Sequence, residues 1–212
     1  MATGLVYLAT ISFWALTIYE WITIIAILVT WVNPDPRNPI IQFLNNMTVP
    51  VWNWFQGWLP SALKLFSAYI ALLAVWFLEI FVPGSLRGVA RYSAGYLSAG
   101  QLPGVLAGFL LLGLGVVVKS LLFFLILLLV VWFFLTLVNP SVNNPIVRTL
   151  FMLVDPFITP IQRRLPRQRV DISPLLAAGL FLLLYVLVVS PLVDMAAGLA
   201  QAGSFSGAMH RF

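Results

Sequence analysis

Catalysis needs clustered titratable, nucleophilic or metal-ligating side chains, and few are available here. The chain carries six acids, one histidine and no cysteine. Without cysteine it can form no disulfide, no thiolate metal site and no covalent haem link of its own. The single histidine, His210, stands near the end, where residues are usually mobile; it reads as a solvated tail residue, and a bis-histidine haem site within one chain is impossible. Asp155 and Asp171 are expected to act as capping or turn residues. Glu20 stands near the middle of a long apolar run, where an acid is costly and marks either a function or a partner. Arg163, Arg164, Arg167 and Arg169 form the one dense charge group, suited to carboxylate, phosphate or anionic headgroups.

The elements that must position these residues belong to a membrane. Hydrophobic residues make up 62% of the chain and charged residues 8%. Soluble domains carry about 25% charged residues, so this composition cannot solvate a surface. Net charge is +5 and the pI about 10.0. The basic residues lie beside apolar runs, so lipid headgroups and not nucleic acid are the expected partner. No cleavable signal peptide is evident before the first apolar run, which is itself too long for a signal sequence.

One stretch occurs twice. Residues 31–60 and 137–166 align at a constant offset with no gap. Asn33, Pro34, Asn38, Pro39, Ile40, Leu44, Pro50, Gln56 and Pro60 pair with Asn139, Pro140, Asn144, Pro145, Ile146, Leu150, Pro156, Gln162 and Pro166. Shared apolar composition explains isoleucine and leucine matches, but not repeated Asn-Pro pairs, so the chain is an internal duplication. Glu20 has Ile126 as its counterpart. A symmetric transport site would keep an acid in both halves, so Glu20 is expected to be protonated or hydrogen-bonded to a neighbouring helix.

The expected fold is an all-α integral membrane protein. Its four transmembrane helices form two parallel helix–hairpin–helix repeats, each with a proline-kinked interfacial helix on the cytoplasmic side. The first repeat is residues 1–84 with its hairpin at 33–60. A connector loop covers 85–104, the second repeat 105–195 with a basic hairpin at 139–172, and a tail 196–212. Asn38-Pro39 and Asn144-Pro145 read as N-cap and first turn of the hairpin helices, and Pro50 and Pro156 as breaks or kinks. Pro83-Gly84 reads as a helix stop. Asp171 or Ser173 is expected to cap the last span, with Pro174 in its first turn. Trp52, Trp54 and Trp58 read as a segment in the headgroup zone or an ordinary loop. Residues 102–138 exceed one span, and a long tilted or kinked helix is expected. The hairpins carry most of the basic residues, which places them in the cytoplasm and both termini outside.

The Asn-Pro-Ile motifs, Pro50 and Pro156, the RRLP run at 163–166 and the DISP at 171–174 together resemble the YggT family. The resemblance covers nearly the whole chain as two tandem units. The second unit is the closer match. In the first, Trp54 and Gly57-Trp58 stand where Pro160 and Arg163-Arg164 stand in the second, and no DISP-like sequence precedes its second span. The resemblance implies a small integral protein of the bacterial inner membrane. Chloroplast and cyanobacterial relatives are linked to maturation of a b-type cytochrome, including haem attachment, and bacterial relatives to cell-division and osmotic phenotypes.

Three classes of function follow. A non-enzymatic scaffold or assembly factor, docking to a larger membrane complex through the basic rim or the tryptophans, comes first. A small transporter or channel subunit acting as a homo-oligomer is the alternative, motivated by repeat symmetry and Glu20. An enzyme on a lipid or haem substrate ranks last, for want of clustered titratable groups. No metal or cofactor is expected.

Overall fold

The computed structural model describes residues 1–32, 35–138, 145–164 and 171–209, and these are helical apart from short turns. The elements are α1 (Ala2–Val32), α2 (Pro39–Trp58), a 3-10 turn (Ser61–Phe66), α3 (Ser67–Ser93), α4 (Leu102–Val138), α5 (Pro145–Gln162), α6 (Ser173–Leu184), a π turn (Tyr185–Val189) and α7 (Ser190–Met209). Four stretches, Ala2–Thr30, Ser67–Ser93, Leu102–Val138 and Ser173–Gln201, are long and apolar enough to cross a membrane. At most 22% of the apolar window of any of them is buried within the chain. Apolar surface on that scale requires a hydrocarbon solvent, so the chain is a multi-pass membrane protein.

The hairpin helices start where local chemistry directs. The Asn38 side chain accepts a hydrogen bond from the Ile40 N–H at 2.9 Å, and Pro39 occupies the first turn. α5 begins at the equivalent Pro145. Its expected cap Asn144 lies outside the described residues, as do Asn33, Pro34, Asn139 and Pro140. The break allowed for at Pro50 does not occur: α2 runs on through Pro50, and α5 through Pro156 and Pro160. Each proline deprives the carbonyl four residues back of its donor. All three prolines stand at exposed positions, and so do Asn46, Met152 and Pro156, which own those carbonyls.

Two expected boundaries give way to packing. α3 continues past Pro83-Gly84 to Ser93, so the connector expected at 85–104 begins as helix and turns only around Gly95, at φ 78°. Pro83 and Gly84 are buried, and a Cβ on Gly84 would overlap the Phe109 ring of α4. The tail expected from residue 196 is helical through Met209, with Ala196 and Ala200 buried. A Cβ on Gly108 would overlap the backbone of Ala200, and one on Gly113 would crowd Phe77. Small residues thus let these helices approach backbone to backbone, and residues 102–138 form the single long helix expected.

The chain divides into two compact units, Met1–Val117 with Met195–Phe212, and Val118–Asp194. Within the first, α2 packs against α1 and α3. Within the second, Leu128 and Leu129 of α4, Val154 and Ile158 of α5, and Ala177 and Ala178 of α6 form one buried core, flanked by Trp132 and Phe181.

Candidate functional site

α2 has three distinct faces. Ile41, Leu44 and Thr48 are buried, and Trp52 turns the same way, its Nε1 enclosed and without a hydrogen-bond partner. Ile40, Phe43, Met47, Trp54 and Trp58 are exposed and apolar. Gln42, Asn46 and Asn53 are exposed and polar. The tryptophan group is therefore divided: Trp52 belongs to the bundle, while Trp54 and Trp58 project outward with ring centroids 5.9 Å apart. Trp54 also meets Phe55 edge to face, at 4.9 Å.

α5 buries Val147, Val154 and Ile158, the counterparts of Ile41, Thr48 and Trp52. Asp155 is not a turn residue; it sits inside α5 and accepts a hydrogen bond from the Thr159 hydroxyl at 2.7 Å. Arg163 and Arg164 are exposed on the turn that ends the helix, where their N–H groups bond to the carbonyls of Thr159 and Ile161 at 3.1 and 3.0 Å. Two cations there also complement the negative end of the helix dipole. Arg167, Arg169 and His210 lie outside the described residues.

Each hairpin helix is tied to the span that follows by the same glutamine. Gln56 Nε2 donates to Ser67 Oγ at 3.1 Å. Its counterpart Gln162 donates to Asp171 Oδ2 at 2.5 Å, and Asp171 Oδ1 accepts from the Ser173 N–H at 3.0 Å. Ser67 and Ser173 are themselves equivalent, both nearly fully buried, and each opens its span. Pro174 follows in the first turn, as expected. Burial pushes the Asp171 carboxyl up, but the hydrogen bonds from the Ser173 hydroxyl and N–H and from Gln162 outweigh it and hold the group below the usual carboxylate range.

Glu20 faces α3. Its Oε1 accepts from Trp76 Nε1 at 2.7 Å, and its carboxyl lies within hydrogen-bonding reach of Glu79. Glu79 in turn accepts from the Thr17 hydroxyl. The expected hydrogen bond to a neighbouring helix is present, and Glu79 joins Glu20 there, which sequence reasoning missed. The signal was available: two antiparallel spans of one copy each carry a single acid, and pairing them is the least costly placement. The four counterparts in the second copy are Phe123, Ile126, Leu182 and Tyr185. There Lys119 stands 5.3 Å over the Tyr185 ring, at the start of the π turn. Among the described residues no three His, Asp or Glu side chains converge as a metal site would require.

A family model described as CCB3/YggT matches residues 5–86 and again residues 111–192. No curated protein and no solved structure matches the chain.

Proposed function

Because the chain belongs to the CCB3/YggT family, as two tandem units, we propose that it is a non-enzymatic membrane scaffold or assembly factor. One observation carries this reading. Four polar pairs tie elements of the bundle together, Glu20–Trp76, Thr17–Glu79, Gln56–Ser67 and Gln162–Asp171. Arg163 and Arg164, by contrast, stand exposed side by side on the turn that ends hairpin helix α5. Groups so placed suit docking to a larger membrane protein complex, of which a cytochrome or another bioenergetic complex is the class implied by the family resemblance. The basic rim also suits anionic headgroups. By charge, the hairpins face the cytoplasm of a bacterial inner membrane and both termini face outward.

The test is copurification in mild detergent, comparing wild type with the fourfold Arg→Lys variant at Arg163, Arg164, Arg167 and Arg169. Lysine keeps the topology signal and most lipid attraction but loses bidentate recognition. The variant is expected to insert normally and to release its partner complex. A complex that survives would remove the arginines from the docking surface.

A second reading, a small transporter or channel subunit working as a homo-oligomer, rests on the Glu20–Glu79 pair, since acids within spans often line ion or proton paths. It requires Glu20→Gln to abolish a proton-dependent flux in proteoliposomes while expression stays normal.

A further inference from the structure

α2 contains no charged residue. At about 100° per residue its exposed apolar stripe lies roughly 110° around the helix from its buried face, and the polar face lies on the remaining side. The stripe is strongly exposed: Ile40 65%, Phe43 54%, Met47 42%, Trp54 60% and Trp58 77%. One apolar face of α2 is covered by α1 and α3. The second is covered by none of the described residues and needs an apolar neighbour of its own.

Position identifies that neighbour. Only residues 33–38 separate α2 from the span before it, and only residues 59–60 separate it from the 3-10 turn that leads into the span after it. The Tyr19 hydroxyl donates to the Met47 carbonyl at 3.2 Å. Tyr19 lies about 20 Å along α1 from its C-terminal end, so the middle of α2 runs beside the span and not beyond it. Over the same length α1 exposes Ile18, Trp21, Ile25 and Leu28. The medium that solvates that stripe of α1 is hydrocarbon, and α2 runs alongside the same span.

We propose that the exposed stripe of α2 is a lipid-binding surface. Trp54 and Trp58 sit at the boundary between headgroups and acyl chains, Phe43 and Met47 dip among the chains, and Asn46 and Asn53 face water. Amphipathic indoles favour that boundary, and a helix with apolar and polar sides lies in it. The occupant is bilayer phospholipid taken by shape and apolarity. α2 itself offers no cation for an anionic headgroup, and Arg37 and Lys64 flank it outside the stripe, so apolar contact and not lipid charge sets the depth of the stripe. The first hairpin thereby fixes the chain to the leaflet and leaves the basic second hairpin for its partner.

The chain has no native cysteine, so single cysteines can carry a spin label directly. Adjacent pairs are decisive: Asn46→Cys against Met47→Cys, and Asn53→Cys against Trp54→Cys, each reconstituted in vesicles. Collision with dissolved oxygen reports hydrocarbon, and collision with a water-soluble nickel chelate reports water. Labels at Met47 and Trp54 should favour oxygen over nickel severalfold relative to their neighbours. The same depth is expected in phosphatidylcholine alone and in mixtures with phosphatidylglycerol. Nickel access equal to that of the asparagine sites would place the stripe in water and overturn the proposal. Shielding from both reagents would mean that protein, a partner or a second copy covers it, and would overturn it equally. A stripe that leaves the bilayer in phosphatidylcholine alone would show that charge and not apolarity holds it. Variants at Phe43 and Trp58, read in the same way, decide the outcome should either adjacent pair fail to reconstitute.

Discussion

The two copies bury the same positions with different chemistry. Thr23 and Thr48 in the first copy stand where Leu129 and Val154 stand in the second, and all four are essentially inaccessible. Both threonine hydroxyls donate to carbonyls of their own helices, at 2.9 and 2.8 Å, so burial leaves no donor unsatisfied. Around them the first copy places Thr17, Glu20, Trp76 and Glu79 between α1 and α3, where the second has Phe123, Ile126, Leu182 and Tyr185. Charge runs the other way outside the bundle: Arg163 and Arg164 stand where the first copy has Gly57 and Trp58. Duplication has kept the frame, meaning the helix starts, the buried face and the glutamine tie. It has moved polarity inward in one copy and outward in the other.

The largest expected effect lies in the apolar core of the second copy. Leu129→Ala should destabilise by about 2–5 kcal/mol, the usual cost of emptying a buried leucine site. Thr23→Ala at the equivalent position removes a smaller side chain and a hydroxyl bonded only within its own helix, so it should cost about 1 kcal/mol or less. Denaturant unfolding in detergent micelles, followed by tryptophan fluorescence, measures both. Equal losses would mean that the two cores are built alike.

The frame was legible because it depends on local rules. Asn38-Pro39 had to open a helix, and long apolar runs had to span. What escaped was set by tertiary packing. Pro83-Gly84 looks like a stop, yet the helix continues because Gly84 is where Phe109 packs. Gly, Ala and Ser after residue 195 look like a loose tail, yet Ala200 is the surface that receives Gly108. Small residues carry two opposite meanings in a membrane chain, loop or close contact, and local composition does not separate them. At the candidate site, the tryptophans were recognised as a group, but only the helical register separates Trp52, which turns inward, from Trp54 and Trp58. Gln56 and Gln162 match in the sequence as repeat counterparts, but the hydrogen bonds they make to Ser67 and Asp171 were not legible there.

The polar seam of the first copy offers the next contrast. Glu20→Leu would leave the Trp76 N–H without its acceptor and Glu79 with Thr17 alone, a loss of about 1–3 kcal/mol for a stranded polar group. Glu20→Gln keeps an acceptor for Trp76 and should cost about 1 kcal/mol or less. Unfolding midpoints of the two variants, set beside Ile126→Leu as the matched change in the second copy, check the order. If Glu20→Leu is as mild as Ile126→Leu, the seam contributes nothing to holding α1 against α3.

The smallest effect separates the two glutamine ties. Gln56→Ala and Gln162→Ala should each cost about 0.5–1.5 kcal/mol, the range for one hydrogen bond. Only the second tie ends on an acid. Asp171 binds its proton less readily in the folded chain than in the unfolded one, because the Ser173 and Gln162 donors favour the carboxylate over the opposing effect of burial. A depressed folded pKa means a contribution that is complete above the ordinary aspartate value of 3.8 and is lost as pH falls below that value and through the folded one. Unfolding midpoints should therefore lose a component on acidification that Asp171→Asn abolishes. Asparagine has no carboxylate to protonate, and its side-chain oxygen still accepts from Gln162 or Ser173. The Gln56–Ser67 tie joins two neutral groups, so Gln56→Ala should lower the midpoint by the same amount at every pH. If Asp171→Asn leaves the acid limb unchanged, the second tie is not the acid-sensitive one, and the two copies hold their hairpin helices by equivalent means.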